Sequence, residues 1–222
     1  FFAPASTAFS INSFKTLALF YAGSETVDIC NYSELKKFVL ANNIEAIINC
    51  AAYTQVDRAE NDFEQAERIN FTGVCNLIKI IKEINGKIIH ISTDYVFDGK
   101  NNLPYKEEDP VNPQGVYGLT KREGELVLLN SNIEGIVIRT SWLYSSYGKN
   151  FLKTMLKLGK EKRELKVVSD QIGTPTYAGD LAIVCLDILS KETSRIDEKG
   201  KLFHFSNEGE ASWYDFASSI ME

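Results

Sequence analysis

The sequence predicts an α/β fold, a doubly wound and mostly parallel sheet with helices on both faces. Three observations carry this. Short apolar runs alternate along the whole chain with helical patterns, with no internal repeat and no low-complexity tract. Runs such as Ile44–Ala52 (IEAIINCAA) and Gly135–Thr140 (GIVIRT) are almost unbroken in apolar character, as strands covered on both faces require. Each run also ends in small or polar residues, the composition found where such a sheet meets a ligand.

Composition narrows the class. The chain has 222 residues, 44% hydrophobic and 24% charged, as in an ordinary globular protein. A net charge of −6 argues against nucleic-acid binding, which needs basic surface. Cys30, Cys50, Cys75 and Cys185 are dispersed, and the chain has two histidines. Neither a metal site nor a disulfide framework is expected, and reduced thiols fit a cytoplasmic location. No run reaches the roughly 18 apolar residues that suggest a membrane span. Residues 1–22 are mildly apolar but interrupted by Lys15, with no basic leader, so no signal peptide is expected.

Taken in order, residues 1–22 depart from the α/β pattern. A nucleotide-binding sheet normally opens with a strand, a glycine-rich turn and a helix start that takes a pyrophosphate. Here the first glycine is Gly23, and Ser13–Tyr21 is expected as the tail of a first helix. Residues 26–29 (TVDI) read as a strand ending at Asp28 and Ile29. Asn31-x-x-Glu34 reads as a capping box opening a helix with Tyr32, Leu35, Phe38 and Val39 on its apolar face. The strand at 44–52 runs into Ala51-Ala52-Tyr53-Thr54, where small side chains let a flat ligand lie against the backbone. Asp62-x-x-Gln65 offers a second capping box for a long helix through Ile81, stopped by Asn85-Gly86. Asn70 is a polar residue within it. Beyond Trp142, Asn150 is expected to cap a short helix, 165–169 to form a strand, 178–189 a helix and 201–206 a last strand. Ser212-x-x-Asp215 then opens a final helix.

The chemistry concentrates between His90 and Lys121. The run Lys87–Ile91 ends in Ser92-Thr93-Asp94, a loop follows, and Tyr117 and Lys121 then open a helical pattern. A spacing of four puts these two on one helix face. A phenol, with a pKa of about 10, needs a neighbouring ammonium to move a proton near neutrality. A hydroxyl at the strand end, Thr93 or Ser92, would complete a set that exchanges a proton with an alcohol oxygen. Tyr-x-x-x-Lys by itself carries little weight, since roughly one match is expected by chance. Tyr32–Lys36 is a second match, but it has no hydroxyl-bearing strand end before it.

STDYVFDG, VYGLTKREGE, RTSWLYSSYGKNF and DQIGTPTYAGDLA, in this order, resemble the dTDP-4-dehydrorhamnose reductases. These belong to the extended short-chain dehydrogenases/reductases, and the likeness runs from about Val27 to Met221. It implies a Rossmann-like dinucleotide domain over 1–143 and a smaller, partial substrate lobe over 144–222, with 178–189 returning to the sheet. The implied activity is reduction of the 4-keto group of dTDP-4-dehydro-L-rhamnose with NADPH or NADH. Tyr117, Lys121 and Thr93 are the implied catalytic set. Asp28, Ile29, Ala51, Ala52, Tyr53 and Thr54, with Tyr117 and Lys121, would hold the coenzyme. Thr93, Asp94, Tyr95 and Trp142 would hold the sugar nucleotide, Trp142 by stacking. No metal, nucleic acid or membrane is implied, and a homodimer is the candidate assembly. The family's C-terminal section, which helps close the sugar pocket, is expected to be absent after Glu222. A relative of the family, the regulatory subunit of methionine adenosyltransferase, keeps the fold without catalysis, so a binding homologue is the alternative.

Overall fold

A computed structural model describes residues 8–10, 19–190 and 200–222. Its main sheet has six strands: β1 (Ala8–Ser10), β2 (Phe20–Ala22), β3 (Ala46–Asn49), β4 (Lys87–Thr93), β5 (Gly135–Thr140) and β9 (Lys201–His204). Their order is β2-β1-β3-β4-β5-β9. The four strands from β3 to β9 are parallel, and β1 runs antiparallel to both its neighbours. Two short pairs lie apart from the sheet: β6 (Leu143–Tyr144) with β8 (Thr176–Tyr177), and β7 (Ile172–Gly173) with β10 (Ala211–Ser212).

Alternation along the buried strands builds two cores. Ile47, Ile88 and Val137 face a cluster with Leu35 and Val39 of α1 (Tyr32–Ala41), and with Leu77, Ile78 and Ile81 further along the chain. Ile48, Ile89, Ile91, Ile136 and Ile138 face the other side. There they meet Leu181 and Cys185 of α7 (Ala178–Ser190), which places this helix against the sheet. The double winding therefore follows from period-two apolar strands covered on both sides. Because β9 joins the main sheet, the chain beyond residue 143 contributes a strand to it.

Several local expectations change. Residues 26–29 form a turn, with Thr26 and Val27 N–H groups both donating to Gly23 O at 2.9 Å. Val27 and Ile29 are buried, which explains the strand-like pattern. The Asp28 carboxylate takes the Cys30 N–H at 2.8 Å, a local bond that competes with any ladder. Of the helix tail expected at Ser13–Tyr21, residues 13–18 lie outside the described residues, while Phe20 and Tyr21 belong to β2. Asp62 caps nothing, because the Tyr53 hydroxyl at 2.9 Å and Arg58 at 3.5 Å engage its carboxylate. The long helix forms as α3 (Phe63–Glu67), a π-helical turn (Arg68–Thr72) and α4 (Gly73–Ile84). It ends as expected at Asn85, whose φ of 50° is left-handed. Residues 165–169 form no strand. Asn150 and Ser212 do cap α6 (Phe151–Glu161) and α8 (Trp213–Met221), the latter through a complete capping box with Asp215. Among the described residues no helix is long and apolar enough to cross a membrane.

What fixes α5 (Val116–Leu129) on the sheet is an ion cluster. Glu125 is fully buried and accepts from Ser92 Oγ at 2.6 Å, from Arg139 Nε and Nη2 at 2.8 Å each, and from Arg122 Nη1 at 2.8 Å. One carboxylate thus joins α5 to the ends of β4 and β5. Burial works to raise its pKa, but the hydrogen bonds and charge of Arg139, with those of Ser92 and Arg122, leave it below the usual range. Its stabilisation is therefore present above the ordinary Glu value of about 4.3 and is lost as pH falls through the lower folded value. Removing one partner of a buried pair strands the other charge and costs about 3–5 kcal/mol. Glu125→Ala should lower the unfolding free energy obtained from urea titration by an amount in that range at pH 7, and the midpoint with it. A midpoint within experimental error of the parent would show that the cluster does not hold the helix.

Candidate active site

The carboxyl ends of β3, β4 and β5 meet the first turns of α5, and the candidate residues converge there. Thr93 closes β4, and its neighbours Asp94 and Tyr95 begin a short 3-10 turn (Asp94–Val96). The loop back to α5 is held internally: Asn112 N donates to Val96 O at 2.9 Å and Tyr105 Oη to Asp98 at 2.9 Å. Its Glu107 also takes the His204 N–H at 2.8 Å on β9, a backbone donor on the outermost strand. Gly118 follows Tyr117 because any Cβ there would collide with the Tyr95 carbonyl. That close approach brings the Tyr117 ring edge-on to Tyr95, with centroids 5.5 Å apart. The first free N–H of α5, at Val116, has no local side-chain cap and donates instead to Glu60 Oε1 at 2.8 Å. Glu60 thus sets the helix start from a distant segment.

Lys121 is only 2% exposed, and its ammonium donates to the Ile91 carbonyl at 2.7 Å. Burial lowers its pKa to about 8, against the opposing pull of Glu125 and then Cys50. Tyr117 corrects an expectation. Its pKa is raised, not lowered, because desolvation dominates while a hydrogen bond with Thr93 offsets only part. Lys121 does not enter that balance, since its ammonium is turned to the strand carbonyl. Asp94 is raised to about 6, again chiefly by burial, with the Thr93 hydrogen bond working against it.

The turn after β3 is pinned from two sides. Ala51 N donates to Asn49 Oδ1 at 3.0 Å, and Asn49 Nδ2 donates to His90 Nδ1 at 2.9 Å. Both side chains are fully buried, and burial together with the Lys121 charge pushes the His90 pKa well down, so the ring is neutral. Tyr53 N donates to Asn70 Oδ1 at 2.8 Å. Asn70 in turn donates to Thr120 Oγ1 at 3.0 Å, and Thr120 back-bonds to the Tyr117 carbonyl at 3.1 Å. The π-helical turn puts Asn70 at this junction, a common use of such turns. Ala51, Ala52 and Tyr53 are buried and Thr54 is exposed.

Asp28 and Ile29 lie apart from this convergence, against the π-helical turn and the start of α4. The Asp28 carboxylate pairs with Arg68 Nη2 at 2.6 Å, and Ile29 packs so near Gly73 that a Cβ there would come within 2.5 Å of Ile29 Cδ1. Trp142, in the left-handed region at φ 47°, is an outlier for so bulky a residue. Its indole stacks on Trp213 with centroids 3.5 Å apart, and Gly173 lies against it so that a Cβ would come within 2.5 Å of Cε2. The half-buried ring is thus in contact with Trp213 and Gly173. The second Tyr-x-x-x-Lys match is a surface cluster, Tyr32 Oη and Lys36 Nζ both bonding Glu83 at 2.5 and 2.6 Å. Residues 1–7 lie outside the described residues. Asn49, Glu60, His90 and Glu125 went unmarked in the sequence reading. Only their polarity inside apolar or helical runs could have flagged them.

The sequence profile described as "RmlD substrate binding domain" matches residues 7–222. The chain is 43% identical over 209 residues to dTDP-4-dehydrorhamnose reductase of Aggregatibacter actinomycetemcomitans, covering 94% of this chain and 70% of that protein. The chain belongs to the dTDP-4-dehydrorhamnose reductase family. The family enzyme of Escherichia coli K12 is 40% identical over 195 residues, covering 88% of this chain and 65% of its own length. Among solved family structures, dTDP-4-dehydrorhamnose reductase from Bacillus anthracis in complex with NADP superposes with a TM-score of 0.83 at 39% identity. The match covers 90% of this chain and 69% of that one. The chain thus spans about two thirds of the length of these family members. The Rossmann-like fold extends further, to a dTDP-glucose 4,6-dehydratase from Streptomyces venezuelae at 18% identity and a TM-score of 0.77.

Asn70 tests how much this site depends on its support. Asn70→Ala would leave the buried Tyr53 N–H without its acceptor, at a cost of about 1–3 kcal/mol. Amide exchange at Tyr53 should accelerate strongly, and by more than at the amides in β5. Unchanged protection at Tyr53 would show that Asn70 does not hold the turn.

Proposed function

We propose that this chain carries the coenzyme and catalytic side of an NAD(P)H-dependent reductase acting on the 4-keto group of dTDP-4-dehydro-L-rhamnose. The observation that carries the reading is the placement of Tyr117 and Lys121 of α5 beside Thr93 at the carboxyl end of the sheet. That is where ligands bind in doubly wound folds. A dinucleotide fits the described part of this edge. The Ala51–Thr54 turn is pinned by Asn49 and Asn70. Thr140 Oγ1, across the ladder from Thr93, is buried without a partner among the described residues and is left for a ligand.

In this reading Ala51, Ala52, Tyr53 and Thr54 support the coenzyme, with Asp28 and Ile29 on its adenosine side and Lys121 toward its nicotinamide ribose. When bound, the dihydronicotinamide supplies a hydride to the C4 carbon. Tyr117 supplies the proton to the C4 oxygen. The raised phenol pKa suits reduction, because the group enters each cycle protonated. Thr93 and Asp94 hold the phenol side of the site, Tyr95 flanks it, and Trp142 forms part of the wall toward the smaller lobe of residues 144–222. NADPH and NADH are both retained, since a family member was solved with NADP and more distant Rossmann-like relatives with NAD. Four free cysteines support the cytosol as compartment. A purely binding homologue is disfavoured, because the curated relatives at about 40% identity are reductases.

Tyr117→Phe keeps the ring and removes the transferable proton. Turnover of the 4-keto sugar nucleotide should fall by about 10²-fold or more, as for loss of a general acid. NADPH affinity, followed by fluorescence titration, should stay within threefold. Turnover within threefold of the parent would remove Tyr117 from the mechanism.

A further inference from the structure

Trp142 stands two residues beyond Thr140, where β5 ends, and two of its features are locally unfavourable. Its φ of 47° is left-handed, a region that bulky side chains avoid. Its indole lies flat on Trp213, with centroids 3.5 Å apart and planes 8° from parallel. Ring quadrupoles favour such a face-to-face sandwich less than an offset stack. Backbone outliers persist only where the surroundings over-determine them, and they gather at ligand clamps.

Here the surroundings come from distant parts of the chain. The Trp142 carbonyl accepts the Thr176 N–H at 3.2 Å, and Ser141 Oγ donates to Thr174 O at 2.9 Å. These two bonds tie the strained backbone to the segment after β7. Gly173 of β7 lies against the edge of the indole. A Cβ there would stand 2.5, 2.7 and 2.8 Å from Cε2, Cζ2 and Nε1, so an alanine would have to displace the ring. Gly173 pairs with Ala211 across the β7–β10 ladder, and Ser212, next on β10, caps α8. The first residue of α8 is Trp213, which the Ser212–Asp215 capping box therefore fixes. Phe151, at the start of α6, packs on the Trp213 ring with centroids 4.5 Å apart. One short ladder thus delivers both the glycine and the ring that hold Trp142.

We propose that Trp213 and Gly173 are positioning residues that hold Trp142 as a platform for the sugar of the substrate. The proposal rests on the reductase reading above and deepens it, because it assigns recognition of the sugar to the β7–β10 ladder. Trp142 is half-buried, so Trp213 and Gly173 leave part of it accessible. A 6-deoxy sugar offers a methyl group and ring C–H bonds to an indole, and covering them removes apolar surface from water. A ring that is already immobile loses no further rotamer freedom on binding. Without Trp213 the indole is free to leave its strained position, and the platform is lost while the nucleotide contacts stay.

The test separates the sugar from the nucleotide by using dTDP and dTDP-L-rhamnose as probes of the full chain. Trp213→Ala should raise the Kd of dTDP-L-rhamnose, and the KM of the 4-keto sugar nucleotide, about five- to tenfold. Affinity for dTDP and NADPH should stay within about twofold, and kcat within about threefold. Trp213→Phe, which keeps a flat ring behind Trp142, should bind dTDP-L-rhamnose within about twofold of the parent. Gly173→Ala displaces the indole without removing an aromatic group and should give the same selective loss. Trp142 and Trp213 are the two tryptophans of the chain, so intrinsic fluorescence reports on this pair alone. In the parent and in Trp213→Phe, dTDP-L-rhamnose should change the emission by more than dTDP does, and in Trp213→Ala that difference should vanish.

A loss shared equally by dTDP and dTDP-L-rhamnose makes Trp213 a general structural residue and overturns the proposal. Parent-like binding in Trp213→Ala, or no recovery in Trp213→Phe, overturns it as well. Should Trp213→Ala not fold, Gly173→Ala decides on the same readings. A parent that reduces the 4-keto sugar nucleotide while the variants behave like it sinks the positioning role alone. A parent that neither reduces it nor binds dTDP-L-rhamnose more tightly than dTDP sinks the reductase reading, and the platform with it.

Discussion

The buried Glu125 carboxylate is the contact on which the candidate site depends. It is bonded to Ser92 on β4, Arg139 on β5 and Arg122 on its own helix, with no exposure to water. An uncompensated carboxylate there would be intolerable, so the helix and the two strand ends must come together as one unit. Tyr117 and Lys121 lie two turns and one turn before Glu125 on the same helix. Locking Glu125 therefore fixes the height and rotation of both against Thr93. A hydrophobic contact would allow a small slide along the sheet, whereas a four-donor carboxylate does not.

Around that lock the support is polar and comes from far away in sequence. Asn70 ties the β3 turn to Thr120, and Glu60 ties the segment after α2 (Val56–Ala59) to the start of α5. Asn49 ties Ala51 to His90 across neighbouring strands. Each of these side chains satisfies a backbone group or a neutral ring that would otherwise be stranded without water. The result is a continuous bonded frame from the Ala51 turn to Tyr117. It couples the surface proposed for the coenzyme to the group proposed to move the proton. Glycine enters at the points of closest approach: Gly118 against Tyr95, and Gly73 against Ile29.

The electrostatics of the frame run in one direction. Desolvation holds Tyr117 protonated, draws Lys121 down to about 8 and lifts Asp94 to about 6. Three groups of ordinarily distant proton affinity are thereby drawn into one small corner of the molecule. Such displacement is common where chemistry is done, and here it coincides with the strand ends where a ligand would lie.

The sequence by itself determined the doubly wound architecture, because strands covered on both faces must be apolar throughout and helices must carry a stripe. Period and capping placed α1, α5, α6, α7 and α8 closely, and the order of four motifs marked Thr93, Tyr117 and Lys121 as one set. Local pattern misled where a side chain found a better partner in space. Residues 26–29 became a turn when Asp28 bonded Cys30, and Asp62 gave up capping for Tyr53 and Arg58. Only the tertiary structure decided that Trp142 stacks on Trp213, that Lys121 turns to Ile91 and that the Tyr117 pKa rises. The physical reason is that periodicity records which face is dry, whereas the partner of a buried polar group often sits on an element far away in sequence. Glu60, Asn70 and Glu125 each find theirs across such a gap, and no local pattern encodes it.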